Sequence, residues 1–162
     1  SDENRNKMIV EDVVRAVQEG RSPLLLTERT DHLEQLTELL EEKIRNVVVL
    51  RGGMGKRQRV AVAKSLDDIG DNRERVIVAT GRYIGEGFDD ARLDTLFLAL
   101  PISWRGTLQQ YAGRLHRMYD RKKEVLIYDY IDSGIPMLAR MYEKRLRGYK
   151  AIGYSAKTVM DG

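Results

Sequence analysis

"RVIVAT", residues 75–80, is apolar at every position from Val76 to Ala79 and shows no alternation with polar residues. A strand with one wet face has a period of two, so an unbroken run of this length is expected where both faces are covered. The same signature recurs on either side, in "PLLLT" (23–27), "NVVVL" (46–50), "TLFLAL" (95–100) and "EVLIYDY" (124–130). Helical periodicity occupies the intervals near 30–43, 57–68 and 104–119, and a further helix is expected at 134–147. Strands alternating with helices of this length predict βαβ units. The expected fold is α/β, with a mostly parallel five- to six-stranded sheet and helices on both faces.

Upstream, residues 6–19 put Val10, Val13, Val14 and Val17 on one helical face and Glu11, Asp12, Arg15 and Gln18 on the other. Gly20 and Pro23 then punctuate the chain. The expected organisation is a lead-in helix or linker over 1–21, one domain over 22–150 and a frayed tail over 151–162 that includes "SAKTVMDG".

Composition narrows the chemistry. The chain has 162 residues, enough for one ordinary core, and no cysteine, which removes disulfides and thiolate metal sites. Its two histidines, His32 and His116, stand far apart, so no metal site is expected. No apolar run approaches the roughly 20 residues of a membrane span, and the expectation is a cytoplasmic protein without a membrane partner. Charge is uneven: residues 1–50 carry 7 Lys/Arg against 11 Asp/Glu, whereas residues 101–162 carry 12 against 6. A basic C-terminal half suits phosphate-bearing partners, although "YEKRLRGYK" (142–150) by itself reads as a solvated helix face.

Ligands of a doubly wound sheet bind beyond the carboxyl ends of its strands, which directs attention to "ERT", "RGGMGKRQR", "GRYIGEGFDD" and "PISWRG". The second of these fails as a nucleotide P-loop. With Lys56 as the lysine, Leu50 stands where the first glycine belongs and Arg57 where the hydroxyl belongs. Glycines followed by Lys56, Arg57 and Arg59 at a helix start still make an anion site, better suited to nucleic-acid backbone than to ATP. In "ATGRYIGEGFD" (79–89), Thr80 and Gly81 offer a hydroxyl and open N–H groups to phosphate, and Asp89 an acceptor for a ribose hydroxyl. On these residues alone a long surface turn is an equal reading.

In "QQYAGRLHR" (109–117), helical spacing places Gln110, Gly113, Arg114 and Arg117 on one face. Leu108, Tyr111, Ala112, Leu115 and Tyr119 form a separate packing stripe. A mid-helix glycine costs about 1 kcal/mol relative to alanine, which argues that Gly113 serves a close approach. Arginine forks a turn apart suit a polyphosphate.

Gln-x-x-Gly-Arg-x-x-Arg at 110–117, following Thr-Gly…Gly-x-Gly-Phe-Asp at 80–89 across a strand, resembles motifs VI and V of superfamily 2 helicases of the DEAD/DEAH type. Residues 22–150 resemble the C-terminal RecA-like domain of those enzymes. They are most similar to the branch that groups type III restriction subunits with DNA repair translocases. "LLLTERTDHLEQL" (24–36) is similar to motif IV, and "GGMGKRQR" (52–59) to a glycine-rich element whose last basic residue touches backbone phosphate. The loop from Thr80 to Asp89 is one residue longer than the DEAD-box form, and His116 matches no catalytic position.

The resemblance implies roles. Arg117 would be the arginine finger toward the γ-phosphate, with Arg114 beside it. Gln110, Gly113, Gly87 and Asp89 would line the ATP cleft. Arg29, Gly53, Arg59, Thr80 and Gly81 would face nucleic acid, DNA favoured over RNA. The 162 residues contain no Walker A sequence and no Asp-Glu-x-His/Asp box. Mg-ATP would therefore be held by a separate N-terminal RecA-like domain of a longer polypeptide, and this chain by itself would be inactive. The alternative is a stand-alone α/β module that binds nucleic acid without ATPase activity. A dinucleotide-binding oxidoreductase is excluded, because "TERTDH" (27–32) stands where the glycine turn belongs.

Overall fold

The computed structural model describes residues 2–51, 53–70, 72–80, 92–99, 124–130, 137–142 and 155–158. The chain runs α1 (Asp2–Gln18), β1 (Pro23–Thr27), α2 (Thr30–Glu41), β2 (Val47–Leu50), α3 (Lys56–Asp68) and β3 (Val76–Thr80). Then follow β4 (Thr95–Ala99), β5 (Glu124–Asp129), β6 (Met137–Tyr142) and β7 (Ser155–Thr158). One sheet takes the order β2-β3-β1-β4-β5-β6-β7. The first five strands in that order pair in parallel, and β6 and β7 pair antiparallel.

The apolar runs earn their places by burial on both faces. Leu25, Val76, Val78 and Phe97 join a core with Leu33, Leu36 and Leu40 of α2. Their neighbours Leu24, Leu26, Ile77 and Leu96 point to the other side and are equally buried. The crossover from β1 to β2 runs one way along the sheet and that from β2 to β3 runs back. Right-handed connections therefore set α2 and α3 on opposite faces.

Helix α1 forms where its apolar spacing predicts, but it is no bare lead-in. Ile9, Val10, Val13 and Val17 are at most 3 % exposed and share the α2 core. Burying four such side chains contributes about 1.5–3 kcal/mol each.

Two expectations are corrected. Residues 137–142 of the helix expected at 134–147 are strand β6, in register with β5 from Glu124↔Tyr142 to Asp129↔Met137. "MLARMY" is rich in helix formers, and local propensity is overridden because the edge of β5 offers backbone groups to pair. Residues 155–158 of the tail are likewise not frayed but form β7 on β6. The helix expected at 104–119 lies outside the described residues.

At the amino end of the strands, side chains tie the segments together. The Ser22 N–H donates to Asp94 at 2.9 Å, and Arg21 donates to Thr95 at 2.5 Å. Arg92 donates to the Ser22 hydroxyl at 2.8 Å, to the Gly70 carbonyl at 3.1 Å and to the Arg73 carbonyl.

Candidate functional site

The opposite end of the sheet is where the motif loops begin. Thr27 stands beside Thr80 on one side and Ala99 on the other, and Leu50 stands beside Ala79. The segments leaving β1, β2, β3 and β4 therefore start from adjacent positions. Parallel pairing alone does this, since every strand ends on the same side.

Arg29 occupies the N-cap of α2 with extended backbone, φ −110° and ψ 142°. The Thr27 hydroxyl donates to its carbonyl at 3.3 Å. No side chain caps α2 from that position. The guanidinium turns instead to Asp31, with Nε at 3.1 Å from Oδ1 and Nη2 at 2.7 Å from Oδ2. Both side chains are open to solvent, 72 % and 59 % exposed. These bonds hold the Asp31 carboxyl below the usual carboxylate range, helped by the N–H groups of His32 and Asp31 itself. A negative charge in the first turn also complements the helix dipole.

Beside this pair lies a polar cavity of about 300 Å³, lined by Arg5, Asn6, Arg29, Asp31, His32 and Gln35. The His32 ring nitrogen Nε2 lies 2.8 Å from the Asn6 amide oxygen, which joins α2 to α1.

After β2 the chain turns through Gly53 at φ 84°, a left-handed conformation that favours glycine. Gly55 is the N-cap of α3, and its N–H donates to the Gln58 side chain at 3.3 Å. That is half of a capping box; glycine has no side chain to supply the other half. Lys56, Arg57 and Arg59 follow in the first turns and are exposed. Arg51 reaches Glu34 of α2 at 3.8 Å. An open groove of about 540 Å³ runs between β2 and α3, with Val49, Met54, Ala61 and Val62 in its wall.

Of the expected nucleic-acid residues, Arg29, Gly53, Arg59 and Thr80 thus lie at or beyond the carboxyl ends of three neighbouring strands. Arg29 and Arg59 are exposed, whereas Thr80 is 5 % exposed. Gly81, Gly87, Asp89, Gln110, Gly113, Arg114 and Arg117 lie outside the described residues. Asp31 and Gln58 also belong to this end of the sheet, but the motif resemblance gave neither of them a role. The available signal for Asp31 was an acidic residue in the first helical turn, two after an arginine.

Comparisons with known proteins bear on the family and the fold. Over 160 residues the chain is 31 % identical to "Putative helicase 161L" of Invertebrate iridescent virus 6, covering 94 % of this chain and 35 % of that protein. Over 83 residues it is 35 % identical to "Uncharacterized protein 108L" of Invertebrate iridescent virus 3, covering 51 % of this chain and 75 % of that one. The chain spans about a third of the length of the first relative. In fold it is similar to the crystal structure of T4 UvsW, with a TM-score of 0.59 and 20 % identity, over 71 % of this chain and 23 % of that one. That likeness is one of fold, a mostly parallel sheet flanked by helices. The model of the helicase conserved C-terminal domain matches residues 5–119, which begins inside α1 and covers most of the chain. This protein belongs to the helicase conserved C-terminal domain family.

Proposed function

We propose that the chain is the C-terminal RecA-like half of an ATP-dependent nucleic-acid helicase or translocase. ATP binds between this domain and an N-terminal RecA-like partner domain in cis. Arg117 and Arg114 reach the γ-phosphate, while Gln110, Gly113, Gly87 and Asp89 line the cleft. Arg29, Gly53, Arg59, Thr80 and Gly81 hold one stretch of the nucleic-acid backbone, in DNA before RNA. Closure on ATP and reopening after hydrolysis let the two halves alternate their grips.

The observation that carries this reading is the register of Thr27 with Thr80, next to Leu50 with Ala79. It starts the loops bearing Arg29, Arg59 and Gly81 from adjacent strand ends. The side chains gathered there include Arg29, Arg51, Lys56, Arg57 and Arg59. Such a cationic set suits phosphate oxygens and not a divalent cation. Magnesium would be held by the partner domain, since this sequence carries no Walker A and no Asp-Glu-x-His/Asp box, and it would supply charge neutralisation at the phosphates there.

Phosphate release assays test the division of labour. The 162-residue chain is expected to release no phosphate from ATP above buffer background, with or without single-stranded DNA or RNA. Release stimulated by nucleic acid would overturn it.

A further inference from the structure

The fork of Arg29 is already occupied. Its Nε and Nη2 edge, the edge that grips a phosphate with two parallel bonds, is bonded at 3.1 and 2.7 Å to the two oxygens of Asp31. We propose that Asp31 is a built-in competitor for the phosphate that Arg29 binds, holding the guanidinium until a nucleic-acid phosphate displaces the carboxylate. The inference rests on the nucleic-acid role of Arg29 proposed above.

Three features make the exchange workable. The pair is open to solvent on both sides, so neither group must be dragged from a buried site. An exposed pair is also weak, which lets a phosphate compete for the fork. Finally, Asp31 is not stranded when Arg29 leaves, because it remains in the first turn of α2, at the positive end of the helix dipole. Asp31 thus sets affinity and release without closing the site. For a domain that must let go of its strand at each step, a resident competitor shortens the grip.

The test is fluorescence anisotropy of the 162-residue chain with labelled single-stranded oligo-deoxythymidylate and, separately, oligouridylate. Asp31→Asn is expected to tighten binding about two- to fivefold at low salt, the scale of an exposed ion pair, and the gain is expected to shrink as salt rises. Glu28→Gln, which removes a neighbouring exposed charge without touching the fork, is expected to gain less. In an Arg29→Ala background, Asp31→Asn is expected to add no more than Glu28→Gln does.

Three results overturn the inference while the nucleic-acid reading stands: no tightening by Asp31→Asn, an equal gain by Glu28→Gln, or the same gain without Arg29. If the unaltered chain binds neither oligonucleotide, the nucleic-acid reading falls first and takes the inference with it. Circular dichroism monitors the fold of each variant.

Discussion

The Tyr130 hydroxyl, just past β5, donates to the carboxylate of Asp12 in α1 at 2.6 Å, a link between residues 118 apart in the chain. Tyr130 is 1 % exposed and the Asp12 side chain 10 % exposed. Ring stacking continues the link into the sheet, with Phe97 6.4 Å from Tyr130 and 4.6 Å from Tyr128 between centroids. This contact fixes where α1 sits over the carboxyl half of the sheet. Burial pushes the Asp12 carboxyl above its ordinary value, against the opposing pull of the Tyr130 hydrogen bond and of Arg15. A raised folded-state value means that Asp12 favours the fold most below its unfolded value of about 3.8, and that this contribution is lost as pH rises through the folded value.

Asp12→Asn keeps an acceptor for Tyr130 and removes that loss. Its stability relative to the unaltered chain is expected to increase as pH rises above the ordinary Asp12 value of 3.8 and to level off beyond the raised folded-state value. Asp12→Ala strips the buried hydroxyl of this acceptor and is expected to cost about 1–3 kcal/mol. Urea unfolding at several pH values checks both, and a pH-independent difference for Asn would contradict the burial argument.

Arg92 supports the other end of the sheet, where it joins Ser22, Gly70 and Arg73. Arg92→Ala removes a charged donor from these groups and is expected to cost about 1–3 kcal/mol in urea unfolding. Oligonucleotide affinity is expected to hold, since the change lies at the amino ends of the strands. A variant that loses binding at unchanged stability would place the interface at the wrong end.

Arg59 should act on nucleic acid in a different way from a base reader. A phosphate contact weakens binding on every sequence alike when removed, and it lowers the steepness of the salt dependence by about one ion. Arg59→Ala is expected to do both, in anisotropy titrations over a range of salt with homopolymer and mixed-sequence strands. Unchanged affinity at low salt would take Arg59 off the strand path.

The sequence made some of this legible and hid the rest for physical reasons. Val76 to Ala79 could be read because a strand covered on both faces needs apolar residues at consecutive positions, a local requirement. Strand β6 could not, because Met137, Leu138, Ala139 and Arg140 are good helix formers and the deciding factor is the open edge of β5, which lies elsewhere in the chain. The apolar face of α1 was readable from Val10, Val13 and Val17. Its docking was not, since that depends in part on Tyr130 and Phe97, eighty or more residues away. At the strand ends, Arg29 and Arg59 came from a resemblance of motifs, which marks residues that touch ligands. The Asp31 side chain pairs with that of Arg29, and an ion pair between near neighbours leaves no periodic trace.

Arg117 gives the sharpest test of the proposed function, in a polypeptide that also carries the ATP-binding RecA-like half. If the expected helix forms, the spacing of the sequence would put it on the face of Gln110, Gly113 and Arg114. Negative charge shifts among the phosphoryl oxygens during transfer, and arginine fingers in such reactions contribute on the order of 10³–10⁵ in rate. Arg117→Ala is therefore expected to cut ATP turnover by a factor of that order. Arg117→Lys is expected to rescue little, because a point charge cannot reproduce the planar fork. Folding is expected to survive in both, since the sequence assigns packing to a separate stripe, Leu108, Tyr111, Ala112, Leu115 and Tyr119. Nucleic-acid affinity is expected to stay near that of the unaltered protein, because the residues proposed to face the strand are other ones. Steady-state kinetics measures turnover, with circular dichroism and anisotropy as the two controls. Turnover near the unaltered level in both variants would make Arg117 a surface arginine and remove the arginine finger from this helix.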